Sequence, residues 1–516
     1  MSLHSRSAPP PPAETAGADD ARYLALCSRD RRFDGRFFTG ITSTGIYCRP
    51  VCAVRTPRRE NCRFFDHAAQ AEHAGFRPCL RCRPELAPAD RCWSTQDAGD
   101  ILMRHALRWL DDPAQHQASD GSTLAQLAER LGVSDRHLRR VFARHLGVSP
   151  LRVLQTRRLL CAKQLLTDTG LPVAEVSQAA GFGSLRRFHA AFRQHYGLSP
   201  LQVRASGARA RQPGVVWLGW RPPLDVDGLL GFLAARALPG VEVVRRSDGV
   251  YARTLSLAVA GRTHAGWCAL RFEPERDRVG LQVSDGLLPA LPAVMVRLRA
   301  LLDLDADPAA IAAVLEPAFP DAGGLRVPGA VDGFELATRA ILGQQVTVAA
   351  ARTFATRVVE AFGQPCPDRT DAPAGLERLF PAASRFLEAD AAEQLGQAGV
   401  VRQRQQAIIA LAQAVVHGGL DLSPHAPLSA TLSALQALPG IGPWTAHYIA
   451  MRALRWPDAW LPGDVVLLEA LAPRAHGERP RERQRHADQT ASAWQPWRSY
   501  AVIRLWADQS PASVAS

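Results

Sequence analysis

The chain has 516 residues, and 47% of them are hydrophobic, which is enough for three or four domains with buried cores. Its net charge of +12 and its pI of about 9.7 favour a polyanionic partner, although an excess of arginine can also reflect genome composition. It contains neither a run of about 18 apolar residues nor a signal-peptide pattern, so we expect no membrane partner, no export and a cytoplasmic location.

The N-terminal part combines a tail with a cysteine-rich segment. Residues 1–19 are rich in proline and alanine and are predicted to be disordered. In residues 20–93, two short cysteine pairs are separated by 26 residues, which is typical of one tetrahedral zinc site because zinc prefers sulfur ligands. The predicted ligands are Cys48, Cys52, Cys79 and Cys82. Three other cysteines, predicted to be ordinary small buried side chains, are Cys27, Cys62 and Cys92.

The residues around both pairs resemble the N-terminal zinc domain of the Ada family. The matching blocks are TSTGIYCRPVC at Thr42–Cys52 and GFRPCLRCRPE at Gly75–Glu85. The resemblance implies that Cys48 is both a zinc ligand and the acceptor of a methyl group from a DNA methylphosphotriester. Transfer removes one negative charge near the DNA phosphates, so we expect tighter DNA binding afterwards. A purely structural zinc site is the alternative, because the sequence does not show whether Cys48 is reachable.

A repeat with an offset of 50 residues occupies the middle of the chain. FARHLGVSPL at Phe142–Leu151 recurs as FRQHYGLSPL at Phe192–Leu201. Each copy follows a short helix, a glycine turn and a basic helix whose predicted N-cap is Ser134 or Ser184. With a linking helix between them, the two units resemble the all-α AraC-type double helix-turn-helix domain, in which each recognition helix enters a major groove.

The charge of this region agrees with DNA binding. Between Ser122 and Ser206 there are 13 basic residues against 4 acidic residues. The candidates for contact with DNA lie on the two basic helices, and the sequence does not separate base readers from phosphate contacts or from solvated charges. They are Arg136, His137, Arg139 and Arg140 in the first unit, and Ser184, Arg186, Arg187 and His189 in the second.

The C-terminal half begins after a polar joint, Ala205–Pro213, with an α+β pattern. The five predicted strands are VVWLGW, VEVVRR, VYARTLSLAV, WCALRFEP and VGLQVS. The helical pattern LLGFLAARAL lies near the start of this unit, and MVRLRALLDL follows its last strand. From about Asp305 the pattern is helical almost to the end, and we predict helix throughout Gly333–Val359.

One stretch near the C-terminus carries the chemistry. Leu438–Asp464 predicts a helix, a hairpin with positive φ angles at glycine, a second helix, a loop and an acidic helix start. The glycines Gly440 and Gly442 allow close approach to a DNA phosphate, although most such turns are only turns. Asp464 is the carboxylate at the predicted helix start beyond this hairpin.

The C-terminal half as a whole resembles the AlkA-type 3-methyladenine DNA glycosylase II family, a helix-hairpin-helix family with a TBP-like α+β subdomain. Its blocks in order are WRPPLDVDGLLGFLAARALPGVE, RAILGQQVTVA, LPGIGPWTAHYIAMRAL, WLPGDVVL and PWRSYAVIRLW. The resemblance implies that Asp464 is catalytic. It also implies an aromatic base pocket made by Trp444, Tyr448 and Trp506, whereas Trp497 and Tyr500 can equally be core residues.

The residues fit that chemistry. Cleavage of an N-glycosidic bond passes through an oxocarbenium-like sugar, and a buried carboxylate can stabilise this cation. A position at a helix start is expected to keep such a carboxylate ionised. Alkylated purines are cationic, and stacking on aromatic faces favours them by about 0.5–2 kcal/mol per contact. The base must first be rotated out of the duplex.

Two departures refine the resemblance. Bifunctional relatives use a hairpin lysine where this chain has Trp444, and Lys163 is the only lysine in the sequence, so we predict base removal without strand cleavage. AlkA-type enzymes can carry a leucine that fills the space left by the flipped base, and the matching residue here is Gln345. Whether Gln345 is this wedge residue therefore stays open. The Ada-type methyltransferase motif PCHR is absent from the sequence.

The predicted protein is therefore multidomain, with a small zinc-bound α/β domain at its N-terminus. The predicted boundaries are 1–19 for the tail, 20–93 for the zinc domain, 96–206 for the helix-turn-helix domain, 207–213 for a linker, 214–303 for the α+β subdomain and 304–516 for the all-α glycosylase domain. We expect a bacterial, nucleoid-associated monomer with one Zn²⁺, double-stranded DNA and RNA polymerase as partners, and no cofactor for the glycosylase. The alternatives are a transcription factor whose C-terminal half only binds damaged DNA, and a glycosylase with a non-regulatory DNA-binding extension.

Overall fold

A computed structural model describes residues 14–88, 98–113, 120–207, 214–259, 261–320, 322–473 and 480–508. Within these ranges, the helices are too short or too polar to cross a lipid bilayer. The predicted tail lies outside the described residues up to position 13. From Glu14 onward the prediction of disorder is wrong, because α1 (Glu14–Ser28) continues back into that segment. Two contacts anchor this helix to the zinc domain. Ala25 and Leu26 are buried, and the Tyr23 hydroxyl donates a hydrogen bond to the carbonyl of Pro57.

The zinc domain is a small sheet with one helix of its own. Its elements are β1 (Phe38–Ile41), β2 (Ile46–Cys48), β3 (Cys62–Phe65), α2 (Ala68–His73) and β4 (Arg77–Pro78). The strand order is β3-β1-β2-β4, with β2 and β4 parallel and Tyr47 paired with Pro78. Because parallel neighbours end at the same sheet edge, the first cysteine of each pair emerges beside the other.

Seven α-helices lie in the described parts of residues 98–207. They are α3 (Ala98–Asp111), α4 (Asp120–Arg130), α5 (Asp135–Leu146), α6 (Pro150–Asp168), α7 (Val173–Ala179), α8 (Leu185–Tyr196) and α9 (Pro200–Gly207). The hydroxyls of Ser134 and Ser184 accept hydrogen bonds from the first turns of α5 and α8, which confirms both predicted N-caps. Helix α9 includes residues 205–207, so the predicted joint begins later than expected, and its remainder, 208–213, lies outside the described residues.

The α+β unit contains a five-stranded antiparallel sheet, as predicted. Its elements are β5 (Val216–Gly219), α10 (Val226–Arg236), β6 (Glu242–Arg245), β7 (Val250–Val259), β8 (Arg262–Glu273), β9 (Arg278–Val283) and α11 (Leu291–Leu301). The strand order is β5-β9-β8-β7-β6. The buried core of this sheet is continuous with that of α6–α9, and Phe188, Phe192 and Tyr251 belong to the same apolar cluster. The core therefore does not stop at the predicted linker.

Among the described residues after α11, ten α-helices follow. They are α12 (Pro308–Leu315), α13 (Gly333–Leu342), α14 (Val348–Phe362), α15 (Ala391–Gln397), α16 (Arg402–Val416), α17 (Leu428–Ala437), α18 (Pro443–Arg452), α19 (Val465–Leu471), α20 (Pro480–Ser492) and α21 (Arg498–Asp508). The prediction of one helix across Gly333–Val359 is wrong, because residues 343–347 form a loop in which Gln345 has a φ of 53° and Thr347 caps α14. Helical periodicity does not reveal such a break when both flanking segments share one amphipathic pattern.

Buried polar contacts join the zinc domain to the rest of the chain. Lys163 on α6 is 1% exposed, and its ammonium donates to the carbonyl of Cys79 at 3.2 Å and to the Glu85 carboxylate at 2.5 Å. Arg221, which is fully buried, donates to the carbonyls of Asp34 in the zinc domain and of Asp305 in the C-terminal half. Burial of a charged group without a hydrogen-bonding partner costs free energy. Loss of these contacts would therefore be unfavourable, and they hold the domains together.

Candidate active sites

The four predicted zinc ligands meet in one cluster. The Sγ atoms of Cys48, Cys52, Cys79 and Cys82 all lie within 4.8 Å of one another. Three of the four residues are buried, and Cys82 is half-buried. Four thiolates at this separation repel one another unless a cation neutralises them, and an all-sulfur set in two pairs is the donor set that zinc prefers. The chemistry of the cluster therefore fits one zinc ion.

The cluster is not symmetric. Backbone N–H groups of Arg81 and Arg49 donate to the sulfur atoms of Cys79 and Cys82, at 3.4 and 3.3 Å. No such backbone donor reaches Cys48 among the described residues. Hydrogen bonds stabilise a thiolate and lower its nucleophilicity, so this pattern disfavours Cys79 and Cys82 as nucleophiles.

A basic groove opens beside Cys48. Its volume is about 850 Å³, and it lies between the zinc domain and the second helix-turn-helix unit. Four exposed arginines and no carboxylate line it, which suits a phosphate backbone. These arginines are Arg55, Arg58, Arg77 and Arg81.

The other cysteines of the segment differ from one another. Cys62 is buried, as predicted, and burial raises the pKa of its thiol to about 11. Cys27 is exposed on α1, so the prediction of a buried side chain is wrong there, because Leu26 and Ala25 occupy the inward face of that helix. Cys92 lies outside the described residues.

The candidate DNA-contacting residues lie on α5 and α8, as predicted. The exposed members are Arg136, Arg139, Arg140, Ser184, Arg186, Arg187 and His189, whereas His137 is half-buried. Arg139 is held by Asp135 one turn earlier at 2.8 Å. Arg140 lies 2.9 Å from the His137 ring. Arg136 and Arg186, which occupy equivalent positions of the repeat, form no ion pair among the described residues.

The hairpin connects α17 to α18. Gly440 has a φ of 76°, as expected for a turn glycine, and a β-carbon there would lie 3.3 Å from Ala407. Gly442 differs from the expectation because it is extended, with a φ of −86°, and serves as the N-cap of α18. The side-chain amide of Gln344 donates to the carbonyl of Gly440 at 2.9 Å and to the Thr445 hydroxyl at 3.0 Å. This contact ties the exposed loop of Gln345 to the hairpin.

Asp464 is the N-cap of α19, and it is 7% exposed. Its carboxylate accepts hydrogen bonds from the Leu467 backbone N–H at 3.0 Å, from the Trp444 indole at 3.0 Å and from the Trp506 indole at 3.4 Å. These three donors hold the carboxylate in a fixed orientation. Gly463, with a φ of 77°, makes the turn that aims the carboxylate inward.

The predicted pocket aromatics surround this carboxylate. Trp444 and Tyr448, one turn apart on α18, stack with ring centroids 5.2 Å apart and an interplanar angle of 8°. The ring of Trp506 lies 6.3 Å from that of Tyr448 at 42°. Trp497 and Tyr500 are buried in the core instead, where the Tyr500 hydroxyl donates to Asp303 at 2.7 Å.

The sequence reasoning missed a group of buried arginines behind the aromatic pocket. Arg452 donates to the Tyr448 oxygen at 2.6 Å, and its remaining N–H groups are held by the carbonyls of Pro328 and Gly329. The guanidinium of Arg236 lies 3.7 Å above the Phe232 ring. Arg452 has a signal in the sequence, because it lies four residues after Tyr448, which is a helical spacing, on an otherwise apolar face.

Four family models match the chain in this order. They are "Metal binding domain of Ada" over residues 21–85, "Helix-turn-helix domain" over 127–206, "AlkA N-terminal domain" over 215–332, and "HhH-GPD superfamily base excision DNA repair protein" over 338–496. These matches confirm the predicted order of folds.

Three curated relatives share parts or all of this organisation. A "Probable bifunctional transcriptional activator/DNA repair enzyme AlkA" of Mycobacterium tuberculosis (strain ATCC 25618 / H37Rv) is 38% identical over 94% of this chain and 95% of its own length. "DNA-3-methyladenine glycosylase 2" of Escherichia coli (strain K12) is 34% identical over 56% of this chain and 95% of its own. The "Bifunctional transcriptional activator/DNA repair enzyme Ada" of the same strain is 33% identical over 37% of this chain and 51% of its own.

Proposed function

Because the chain belongs to the family of bifunctional transcriptional activator and DNA repair enzymes of the AlkA type, we propose that it excises alkylated purines from DNA and regulates transcription in response to alkylation. The observation that carries the repair function is the position of Asp464, a buried carboxylate held by two pocket indoles beside a helix-hairpin-helix. Double-stranded DNA is the partner of both halves.

Base excision uses groups of this chain alone. The flipped base stacks on the pocket aromatics, and the bond from C1′ of the sugar to the base nitrogen breaks with its electron pair leaving on the base. The Asp464 carboxylate stabilises the oxocarbenium-like sugar and orients a water, which adds to C1′ and releases a proton. A cationic base leaves as a neutral molecule, so no acid has to protonate it.

The reaction is predicted to stop at the abasic site. Strand cleavage of the Schiff-base type requires an amine at C1′, and residues 214–516 contain no lysine. Lys163 lies in another domain, where it is buried against Glu85. These facts support a monofunctional glycosylase. We expect the glycosylase to need no cofactor.

The test is base release from alkylated duplex DNA by the full-length protein. We expect free 3-methyladenine to appear while the DNA strand stays intact until alkali is added. Addition of a chelator during the assay should leave base release unchanged if the glycosylase needs no metal. Binding to alkylated DNA without any base release would instead support a transcription factor that only recognises damage.

The zinc domain supports the second activity, methyl transfer to Cys48. The Cys48 sulfur attacks the methyl carbon of a phosphotriester, a C–S bond forms, and the C–O bond breaks with its electron pair leaving on the phosphate. A bound zinc ion at the four cysteines supplies Lewis-acid stabilisation of the thiolate form. The basic groove beside Cys48 supports the approach of the DNA backbone.

Operator binding is assigned to the two basic helices. A single chain with two helix-turn-helix units can reach two successive major grooves, which supports action as a monomer on the bacterial nucleoid. Transcriptional activation then requires contact with RNA polymerase near the operator. A glycosylase with a non-regulatory DNA-binding extension would leave reporter expression unchanged after alkylation.

We predict that Arg136→Ala and Arg186→Ala each weaken operator binding by about 1–3 kcal/mol, because these arginines lie free at the exposed starts of the basic helices. Arg139→Ala should cost less, since Asp135 already pairs with this side chain. The operator is first selected from a random duplex pool, and affinity is then measured at several salt concentrations. Arg276→Ala, which removes an exposed arginine of the α+β unit, is the control. Equal effects of all four variants would contradict the assignment.

A further inference from the structure

A buried charge cluster lies directly behind the aromatic base pocket. It surrounds a small enclosed cavity of about 30 Å³. Four arginines and three carboxylates line this cavity, which leaves one positive charge uncompensated. They are Arg236, Arg253, Arg339 and Arg452 with Glu242, Asp332 and Glu335.

The carboxylates are already committed to particular arginines. Glu335 pairs with Arg253 at 2.6 Å and with Arg339 at 2.9 Å, and Glu242 pairs with Arg339 at 3.0 Å. Asp332 caps α13 by accepting from the backbone of Glu335. The arginines nearest to the pocket, Arg236 and Arg452, form no ion pair with a carboxylate among the described residues.

The group that faces these two arginines is Tyr448. Its oxygen accepts a hydrogen bond from Arg452 at 2.6 Å, and Arg452 is fixed in place by two backbone carbonyls. The guanidinium groups of Arg236 and Arg452 both lie over the Phe232 ring, 3.7 and 5.0 Å from its centroid, so Arg236 lies beside the Arg452–Tyr448 pair. No carboxylate or carbonyl among the described residues accepts a hydrogen bond from the Tyr448 hydroxyl.

This arrangement conflicts with a neutral tyrosine in a pocket for cations. A guanidinium that donates to a neutral phenol draws electron density from its ring, and the one uncompensated positive charge of the cluster repels a cationic base. Both effects would weaken binding of the alkylated purines that the proposed glycosylase removes. If the phenol loses its proton, the oxygen neutralises the surplus charge and the ring becomes rich in electrons.

We propose that Tyr448 acts as a phenolate, held between Arg236 and Arg452, when a cationic base occupies the pocket, and that this negative charge determines the preference for cationic over neutral bases. The inference rests on the proposed glycosylase function and names the group responsible for its selectivity. The net charge of the pocket stays the same, because the hydroxyl proton is lost to solvent and the incoming base brings one positive charge. The stacked Trp444 ring then binds the base beside a full charge.

The electrostatics of Tyr448 agree with this reading. Burial opposes ionisation of the hydroxyl, but the positive charges of Arg452 and Arg236 outweigh burial and lower its pKa from the usual value. The groups that face it are Arg236 from α10, Arg339 from α13, Arg452 from α18 and, across the pocket, Asp464. Burial lowers the pKa of Arg236 to about 10, so measurements below about pH 9 keep the arginines charged.

The test compares two bases in the full-length protein. The ratio of kcat/KM for 3-methyladenine, a cationic base without a ring N–H, to that for neutral hypoxanthine is measured in duplex DNA between about pH 6 and pH 8, where hypoxanthine keeps its N1 proton. A lowered tyrosine pKa means that the ratio rises with pH in the parent protein. Tyr448→Phe should lower the ratio by about tenfold and remove its rise with pH.

Substitution of the arginines distinguishes a phenolate from a neutral phenol, because the two states predict opposite changes in the kcat/KM ratio. Arg452→Met and Arg236→Met lower the ratio if they stabilise a phenolate, and raise it if they only polarise a neutral phenol. Tyr500→Phe, which removes a buried hydroxyl outside the pocket, is the control, and thermal unfolding verifies that each variant is folded. An unchanged ratio in Tyr448→Phe, or a higher ratio in both arginine variants, would overturn the inference. Failure of the parent protein to release either base would overturn the glycosylase proposal instead.

Discussion

Replacing Asp464 by asparagine is expected to lower the rate of base release from alkylated DNA by a factor on the order of 10³. The carboxylate accepts from three N–H donors, namely the indoles of Trp444 and Trp506 and the backbone of Leu467. Asparagine keeps the shape but removes the negative charge that stabilises the oxocarbenium-like sugar. Its amide also presents N–H groups to an indole N–H, so one donor loses its partner.

The variant should still fold, because asparagine is as good an N-cap as aspartate and α19 keeps its first hydrogen bond. The measurement is single-turnover release of 3-methyladenine, with far-UV circular dichroism to verify the fold. Asp488→Asn is a matched control, since Asp488 also accepts from an indole, that of Trp460 at 2.8 Å, but lies outside the pocket. Release by Asp464→Asn at the rate of the parent protein would exclude the proposed mechanism.

Replacing Cys48 by alanine is expected to abolish methyl transfer from DNA phosphotriesters completely. This sulfur lines the basic groove, and it lacks the backbone N–H donors that lower the nucleophilicity of Cys79 and Cys82. Loss of one of four ligands also weakens zinc binding, so the domain should unfold at a lower temperature. Base release by the C-terminal half should persist, because Asp464 is in another domain.

Mass spectrometry of tryptic peptides after exposure to methylated DNA should find one added methyl group on Cys48 of the parent protein. Cys62→Ala removes a buried cysteine outside the cluster and should leave this modification intact. Methyl on Cys79 instead would mean that access through the groove, and not the hydrogen-bond pattern, selects the acceptor. Absence of methyl on every cysteine would identify the zinc site as purely structural.

Much of the site could be read from the sequence because its parts are local. Two cysteine spacings predict the zinc site, and serine caps predict both basic helices, since each depends on neighbours a few residues away. The strands of the α+β unit follow from short-range alternation for the same reason. Asp464 could be singled out because Pro462 and Gly463 before it predict a helix start beyond the hairpin.

Other features required the folded chain. The break at Gln345 and the extended Gly442 are decided by packing of the loop against the hairpin, where Gln344 bonds to Gly440. The helix at residues 14–19 forms because its later turns are anchored on the zinc domain. The aromatic stacking angles and the burial of Trp497 and Tyr500 in the core also do not follow from residue spacing alone.

The sequence by itself determined the four folds, the zinc ligands and the family of the glycosylase half, because these reside in short motifs whose chemistry needs no distant partner. Only the tertiary structure decided which partner each buried basic group finds. It joined Lys163 to the Glu85 carboxylate and Arg221 to the backbone carbonyl of Asp34, partners that lie 78 and 187 positions away in the chain. A buried charge is stable only beside its partner, and which partner it finds depends on how the domains pack.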